Sequence, residues 1–585
     1  MYYSFKVKIP QGKGKIIKKK KGSAIYILYE YDRKYIKEKR HYIPSRAIIG
    51  KQAEDSEEMM YPNENFQKYF PDEVLPEELD EAYRSSAIRI GSYIVIDKIL
   101  EEYKLKEILK NILGKDSGLF LDLLAYLIVD EENAGQYYPQ FAFNHPLFSD
   151  KMRIYSDSKV SRLLNSITKD HSVEFLDAWN KKRDRKQKIY VSYDSTNKNC
   201  QAGDISILEF GNAKHDIGSP IFNLAVAYDQ TNRVPIIYEE YPGSVVDVSQ
   251  FTFLVDKFIE YGYKNIGFIL DRGYFSKDNI KYMDENGYDF VIMAKGCRSI
   301  VSQIINEKRN SFESERDCSI RSYRVYGTTV EAPLYADDDR KRYFHIYYSP
   351  GKQAGEREQL EQKLDRYSAF IKKHIGTDQK FSRLYQRYFE FKYDRNGKLL
   401  FAKERKDVIA AELNLCGYFC IITSENMTAE AALTKYKGRD ISEKIFSADK
   451  SFIGSKSMRV QSDEAMSAKL FLEFVTLIVR NRIYNLLREE MQRIETKPNY
   501  LTVPAAIREL EKIEMVRWDK KNYRLDHAVT KKQKDILAAF GLDEAYVKQK
   551  ASEINELLVG GMSMNDIAKD KKEEEEEENG EDQID

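Results

Sequence analysis

The sequence predicts an α/β protein in which a mixed β-sheet, covered by helices, lies between two mainly helical regions. Apolar residues recur at spacings of three and four over residues 93–182, which is typical of amphipathic helices. From residue 188, three strand-like runs are followed by a helix–strand–helix–strand order, which indicates a mixed sheet. Residues 500–560 return to helical spacing and carry a basic patch.

The chain begins with a basic segment and continues with an acidic one. Residues 1–51 contain 15 Lys and Arg but 3 acidic residues, whereas residues 52–80 contain 1 base and 10 acids. Residues 23–49 alternate weakly around a polar turn, which predicts a β-hairpin. The cations of this hairpin are Arg33, Lys34, Lys37, Lys39 and Arg40. The alternative is a solvated arm without fixed structure.

Two aspartates follow apolar runs that have the pattern of buried strands. KIYVSYD predicts a strand that ends in Asp194, and NIGFILD predicts one that ends in Asp271. Active sites of open α/β sheets collect at the C-terminal edge of the strands, where both aspartates are expected. Taken singly, each has an ordinary alternative, because aspartate at a strand end commonly caps a turn.

Residues 434–452 predict a helix with one polar strip. At about 100° per residue, four polar side chains fall within roughly 60° of one another. These residues are Tyr436, Arg439, Glu443 and Lys450. The opposite side carries Ile441, Ile445 and Ala448. A carboxylate flanked by fixed cations suits a metal-and-phosphate site, because the cations hold phosphate oxygens while the carboxylate holds the metal.

Asp194, Asp271 and Glu443 together predict a metal centre. Hard oxygen ligands favour Mg²⁺, with Mn²⁺ as a substitute, and disfavour zinc. Three carboxylates are enough to hold two such ions, the arrangement that clamps the attacking and leaving oxygens of an in-line phosphoryl transfer.

Composition excludes other classes of protein. Lys plus Arg and Asp plus Glu both number 94, so overall charge says nothing about partners. The five cysteines are irregularly spaced, which argues against a disulfide framework and fits a reducing compartment. Cys416 and Cys420 are expected to pack in a core rather than to bind zinc. The longest apolar run, 470–479, is too short for a bilayer, and no signal peptide is evident. We therefore expect a cytoplasmic protein without membrane contact.

These motifs resemble the DDE transposases of bacterial insertion sequences. Asp194 in YVSYDST, Asp271 in FILDRGYFS and the Tyr436-x2-Arg439-x3-Glu443-x6-Lys450 spacing are similar to the insertion-sequence-four superfamily. The resemblance implies an RNase H-like catalytic domain interrupted by a mostly β insertion before the helix of Glu443. It also implies a homodimer that uses two Mg²⁺ ions to cut and paste double-stranded DNA at paired inverted-repeat ends. Such a protein would be nucleoid-associated.

Residue roles follow from the same resemblance. Asp194, Asp271 and Glu443 would be the catalytic metal ligands. DNA phosphates would be contacted by Tyr436, Arg439 and Lys450, and we add Lys295 and Arg298, which follow a strand directly. The hairpin cations and the helices after them would recognise transposon ends. The only tryptophans, Trp179 and Trp518, lie outside the insertion, which leaves a DNA hairpin intermediate open.

The expected domain order has eight parts. They are a basic hairpin arm (1–51), an acidic linker (52–92), a helical DNA-binding domain (93–186), the first half of the catalytic domain (187–296), the insertion (297–415), the second half (416–495), a C-terminal helical region (496–565) and an acidic tail (566–585).

The expected reaction frees a 3′-OH at the element's end and then uses it on target DNA. Two rivals stay open at this stage. One is an RNase H-like nuclease that cuts without strand transfer, and the other is a domesticated transposase kept as a DNA-binding protein.

Overall fold

The computed structural model divides the chain into two units, residues 1–85 and 86–585. The structure describes residues 6–11, 15–21, 24–36, 41–53, 56–71, 73, 84–200, 205–211, 219–245, 247–294, 299–335, 338, 340–440, 457–495, 498–518 and 522–560.

The first unit is a five-stranded antiparallel sheet with one helix. Its elements are β1 (Val7–Lys8), β2 (Lys15–Lys21), β3 (Ala24–Ile36), β4 (His41–Gln52), β5 (Met59–Pro62) and α1 (Glu64–Tyr69), and the strand order is β1-β5-β4-β3-β2. Ile27, Ile49, Met60 and Phe66 form its apolar core. β3 and β4 are the antiparallel pair at the hairpin position. The acidic segment 52–92 contributes β5 and α1, so its first part is folded into the sheet rather than extended as a linker.

Two of the hairpin cations, Arg33 and Lys34, lie near the end of β3. Arg33 Nε lies 2.7 Å from Glu30 Oε1, and Arg46 Nε lies 3.0 Å from Glu30 Oε2. These two arginines lower the pKa of the Glu30 carboxyl, because both donate hydrogen bonds to its charged form. Lys34 is exposed on the same strand. Lys37, Lys39 and Arg40 lie outside the described residues.

The second unit begins with a short strand and a group of helices. They are β6 (Ala87–Arg89), α2 (Gly91–Glu102), α3 (Leu105–Leu113), α4 (Ser117–Val129), α5 (Tyr138–Asn144), α6 (Asp157–Ser166) and α7 (Lys169–Lys181). Ser156 caps α6 by accepting a hydrogen bond from Lys159 N–H at 3.2 Å, as the Ser-rich start of this segment predicts. Val160 and Leu163 of α6 are buried in the core.

A ten-stranded mixed sheet is the centre of the second unit. Its first part consists of β7 (Ile189–Cys200), β8 (Ile221–Asp229), β9 (Val234–Pro242), α8 (Asp247–Glu260), β10 (Ile266–Leu270), α9 (Lys277–Glu285) and β11 (Asp289–Met293). β7, β8 and β9 pair antiparallel, whereas β10 is parallel to both β7 and β11. Every residue of β10 is buried, which explains its uninterrupted apolar run.

The segment predicted as a mostly β insertion is mixed instead. It contains α10 (Ser299–Lys308), β12 (Ser319–Ile320), β13 (Val325–Pro333), β14 (Lys341–Tyr348), α11 (Pro350–Lys373), α12 (Arg383–Gln386), β15 (Phe389–Tyr393), β16 (Leu399–Glu404) and α13 (Lys406–Leu415). The expectation of a mostly β segment was wrong, because these helices hold more residues than the strands. β14 pairs with the strand that follows the insertion, so β12, β13 and β14 extend the main sheet.

The chain then returns to the sheet and ends in helices. These elements are β17 (Tyr418–Thr423), α14 (Ala429–Lys437), β18 (Ser457–Met458), α15 (Asp463–Arg493), α16 (Val503–Leu510), β19 (Glu514–Arg517), β20 (Tyr523–Leu525), α17 (Lys531–Ala539) and α18 (Glu544–Val559). The main sheet has the order β12-β13-β14-β17-β11-β10-β7-β8-β9, and β18 pairs with β7.

The 31-residue helix α15 joins the sheet to the helices before it. It packs against α4, α6, α7 and β9, and the ring of Phe471 contacts Phe120 and Phe175. Across the described ranges, no helix combines the length and the apolarity that a membrane span needs. Cys200, Cys318, Cys416 and Cys420 are free thiols, and Cys416 and Cys420 are buried, as expected for core packing.

Candidate active site

Asp194 and Asp271 lie side by side on two parallel strands. The register pairs Leu270 of β10 with Tyr193 of β7, so each aspartate is the residue after the last paired position. The strand that carries Asp194 does not end there, as the sequence had suggested, but continues to Cys200. It continues because β8 pairs with it along its whole second half, from Asp194 opposite Val226 to Asn199 opposite Ile221.

Asp271 lies at the end of its strand, as predicted. β10 stops at Leu270, and Asp271 caps the short 3₁₀ turn Arg272–Tyr274 by accepting a hydrogen bond from Arg272 N–H at 2.6 Å. The capping role that the sequence left as an alternative is therefore present. The capping hydrogen bond uses Asp271 Oδ1, whereas Asp271 Oδ2 faces the side chain of Arg439.

The guanidinium of Arg439 lies between the two carboxylates. Its Nη1 is 3.4 Å from Asp194 Oδ2 and 3.9 Å from Asp271 Oδ2. The side chains of Arg439 and Asp194 are 10% and 16% exposed, whereas that of Asp271 is 38% exposed, so the centre opens on the Asp271 side. One cationic group thus marks the point on which both carboxylates converge.

This arrangement fits a divalent cation. Two carboxylates that face one positive group present hard oxygen ligands of the kind that Mg²⁺ prefers, and the guanidinium stands in for that charge. Within the described ranges, no three His, Cys, Asp or Glu side chains form a metal-binding group. The third predicted ligand, Glu443, lies outside the described residues.

Helix α14, which carries the start of the predicted polar strip, is followed by a turn where the sequence predicts a continuous helix. It ends at Lys437, and Arg439 lies in the turn after it. The predicted continuous helix over 434–452 is therefore wrong at Gly438 and Arg439. The strip positions Glu443 and Lys450 lie outside the described residues, as do the apolar positions Ile441, Ile445 and Ala448. Lys295 and Arg298 also lie outside them.

Tyr436 is mostly buried beneath the site rather than displayed on it. Its residue exposure is 6%, and it belongs to an apolar cluster with Ile269, Val291 and Ile421. The Arg439 guanidinium carbon lies 5.6 Å from the centre of the Tyr436 ring. Tyr436 therefore supports the arginine from the side of the sheet.

Gln230 is a residue that the sequence reasoning missed. With its amide oriented to satisfy both neighbours, the nitrogen donates to Lys435 C=O at 3.2 Å and the oxygen accepts from Arg439 N–H at 3.0 Å. A Cβ at Gly438 would lie 2.9 Å from the amide carbon of Gln230, so glycine permits this close approach. Gln230 lies in the polar turn between β8 and β9, and only the fold brings it to α14.

A second set of contacts fixes α14 to the opposite edge of the sheet. Lys435 Nζ lies 3.4 Å from the centre of the Tyr190 ring, and Tyr190 OH donates to Glu425 Oε2 at 2.7 Å. Lys188 forms ion pairs with both Glu425 and Asp289. Burial lowers the pKa of Lys435, and the Glu425 carboxylate partly opposes that shift.

Comparison with known proteins agrees with the motif resemblance. Residues 188–479 match the family model described as "Transposase DDE domain". No curated protein matches the chain.

Two solved structures that resemble the chain are transposase complexes. The piggyBac transposase synaptic complex with hairpin DNA has 8% identity and a TM-score of 0.31, with 83% of this chain and 80% of that chain covered. The Mos1 transposase paired-end complex with the left transposon end has 14% identity and a TM-score of 0.14, with 29% and 57% covered. Neither likeness is close enough to bear on function. The family match is the finding that identifies the protein: through residues 188–479, this chain belongs to the transposase DDE domain family.

Proposed function

We propose that this protein is a transposase that binds the inverted-repeat ends of an insertion sequence and catalyses Mg²⁺-dependent DNA cleavage and strand transfer. The observation that carries the proposal is the convergence of Asp194 and Asp271 on Arg439. All three residues lie in the segment that matches the DDE domain, and Glu443 lies in it as well.

The topology of the sheet supports an RNase H-like catalytic core. Three antiparallel strands, β7 to β9, are followed by β10 and β11, which lie parallel to β7 on its other side. Helices α8 and α9 make the crossovers between these strands. This order places both aspartates on adjacent strands at the edge where α/β sheets form active sites.

Asp194, Asp271 and Glu443 would hold two Mg²⁺ ions, for which Mn²⁺ would substitute. When bound, such ions lower the pKa of an attacking hydroxyl and stabilise the charge on the transferring phosphate. The three carboxylates would hold the ions in place, and most of the acceleration would come from positioning and charge stabilisation.

Arg439 would bind the phosphate beside the bond that breaks. Its planar guanidinium suits phosphate oxygens, and its backbone and side chain are held by Gln230 and by the Tyr436 ring. Lys450 would contact a neighbouring phosphate, and Lys295 and Arg298 would contact DNA close to the site. Tyr436 would act mainly by holding Arg439, because it is buried.

Recognition of transposon ends would use the first unit and the helices α2 to α7. The side chain of Lys34 is exposed and would contact a phosphate, whereas Arg33 forms an ion pair with Glu30. Lys37, Lys39 and Arg40 complete the basic set. Phosphate contacts of this kind make binding strongly dependent on salt. The active complex that pairs two ends would be a homodimer.

The experiment that tests this function uses the chain, Mg²⁺ and DNA that flanks its own gene. We expect nicks at discrete ends and joining of those ends to target DNA, and we expect Glu443→Gln to lack both. Cleavage without joining would identify a nuclease instead. Absence of any metal-dependent cleavage, with DNA binding retained, would identify a domesticated DNA-binding protein.

We predict that Gln230→Ala slows DNA cleavage by about tenfold with little change in DNA affinity. The variant loses the hydrogen bond from Arg439 N–H, which positions the arginine, and the one to Lys435 C=O at the end of α14, and each typically contributes about 1 kcal/mol. Gln492→Ala is a matched control, because Gln492 is an exposed residue of α15 that lines the same surface cavity as Gln230 and Gly438. Equal cleavage rates for the two variants would show that Gln230 does not position the arginine.

A further inference from the structure

A polar cleft lies in the inserted segment, outside the candidate active site. Its volume is about 340 Å³, and it opens between the end of α10, the start of α11, the end of α13 and the adjacent ends of β14 and β17. Arg309, in the turn after α10, and Arg357, on α11, line the cleft, and Asn310 and Asn414 add amide groups. Among the described residues, neither guanidinium forms an ion pair.

The acidic groups near the cleft are engaged by other partners. Burial acts to raise the pKa of the Glu313 carboxyl, but hydrogen bonds from Tyr418 OH and from backbone N–H groups that include Asn310 outweigh it and lower that pKa. Glu356 accepts from Gly417 N–H at 2.8 Å and pairs with Lys352 at 2.8 Å. Glu313 keeps one negative charge and Lys352 balances Glu356, so the two arginines leave the cleft with a net positive charge, which suits a phosphate group.

The cleft lies along the same edge of the sheet as the two aspartates. Leu270 pairs with Ile292, and Met293 pairs with Ile421, so Asp271 is level with Ile421 of β17. Tyr418, which lines the cleft, lies on β17, two strands away from the strand of Asp271. Along β17 it lies three residues beyond Ile421, in the direction in which β10 and β11 end. With strands about 4.8 Å apart and a rise of about 3.3 Å per residue, the backbone separation is about 14 Å. A DNA strand covers that distance in about four nucleotides at about 3.4 Å each.

We propose that Arg309 and Arg357 bind a backbone phosphate of the DNA strand that leaves the Asp194–Asp271 centre along this edge. The inference rests on the proposed function, since it assigns a second contact for the same substrate. A free polyphosphate shares the chemistry of the contact, but only a continuous strand connects the cleft to the catalytic edge. The contact is to phosphate, so it holds DNA in register without reading its sequence.

The test measures the affinity of the full chain for duplex DNA over a range of salt concentrations. Arg309→Gln, Arg357→Gln and the double variant are compared with Arg395→Gln, which removes an exposed cation in the turn between β15 and β16 of the same segment. We expect each cleft variant to bind DNA several-fold more weakly. We also expect the negative slope of log K against log[salt] to become shallower by about one. We expect Arg395→Gln to match the wild type, and thermal unfolding of all four variants to match it as well.

The outcomes separate this inference from the proposed function. If the wild type binds no DNA, the proposed function fails. If it binds DNA and the double variant keeps wild-type affinity and slope, only the assignment of the cleft is overturned. Inorganic pyrophosphate is the second probe. Stabilisation of the wild type but not of the double variant by pyrophosphate, with DNA affinity unchanged, would make the cleft a small-anion site and overturn the DNA assignment.

Discussion

Replacing Asp271 with Asn is expected to lower the rate of metal-dependent DNA cleavage by at least about 10³-fold, or about 4 kcal/mol of transition-state stabilisation. Asparagine has the same shape but lacks the negative charge that Mg²⁺ requires. The side chain is 38% exposed, so the fold should tolerate the change. The measurement is the single-turnover cleavage rate at saturating DNA and Mg²⁺.

Asp278→Asn is the matched control for this prediction. Asp278 lies in the first turn of α9, seven residues after Asp271, and is exposed. We expect the control to cleave at the wild-type rate and Asp271→Asn to retain DNA binding. Cleavage by Asp271→Asn within tenfold of the wild type would remove Asp271 from the catalytic centre.

Replacing Glu473 with Gln is expected to destabilise the protein by about 3–5 kcal/mol, because it leaves a buried ammonium without its counter-charge. Lys198 Nζ lies 2.7 Å from Glu473 Oε2, and the two side chains are 0% and 1% exposed. Lys469 lies on the same helix, and burial lowers its pKa to about 8, so Glu473 compensates two buried cations. The measurement is the free energy of unfolding from urea denaturation.

Two further variants make this stability prediction specific. The double variant Lys198→Met, Glu473→Leu removes both charges and should recover most of the lost stability. Glu285→Gln breaks an ion pair with Lys281 in which the lysine side chain is 71% exposed and the glutamate side chain 59%. This change should alter the free energy of unfolding by less than about 0.5 kcal/mol. Similar losses for Glu473→Gln and Glu285→Gln would contradict the account of the buried pair.

The Lys198–Glu473 pair also bears on the site, because it fixes the strand that carries Asp194. Side chains alternate along β7, so Lys198 lies on the same face as Asp194, four residues further on. The pair joins this part of β7 to α15. We expect Glu473→Gln to slow cleavage as well as to destabilise the fold.

The sequence predicted the end of the strand before Asp271 correctly, but it did not predict that the strand of Asp194 continues to Cys200. Asp271 follows a fully apolar run, and the structure ends the strand there. The polar run STNKNC after Asp194 resembles a loop, yet it is strand because β8 supplies hydrogen bonds and Glu473 neutralises Lys198. Both partners are distant in sequence, so local pattern does not reveal them.

Features made by long-range pairing escaped the sequence analysis in the same way. Gln230 reaches α14 only through the β8–β9 turn, and no periodicity marks it. Within the inserted segment, the pairing of β14 with β17 was not visible from the sequence either. The helix of the polar strip is interrupted at Gly438 and Arg439, which form a turn, and the helical pattern gives no sign of that interruption.

The most direct test of the central claim is metal-directed cleavage of the protein itself. Fe²⁺ bound in place of Mg²⁺ is oxidised by added hydrogen peroxide to Fe³⁺, hydroxide and a hydroxyl radical, ascorbate reduces the iron again, and the radicals cut the polypeptide next to the ion. We predict cuts near Asp194, Asp271 and Glu443, suppressed by excess Mg²⁺ and absent in Asp271→Asn. Cuts at other positions, or an unchanged pattern in Asp271→Asn, would contradict a metal centre built from these three carboxylates.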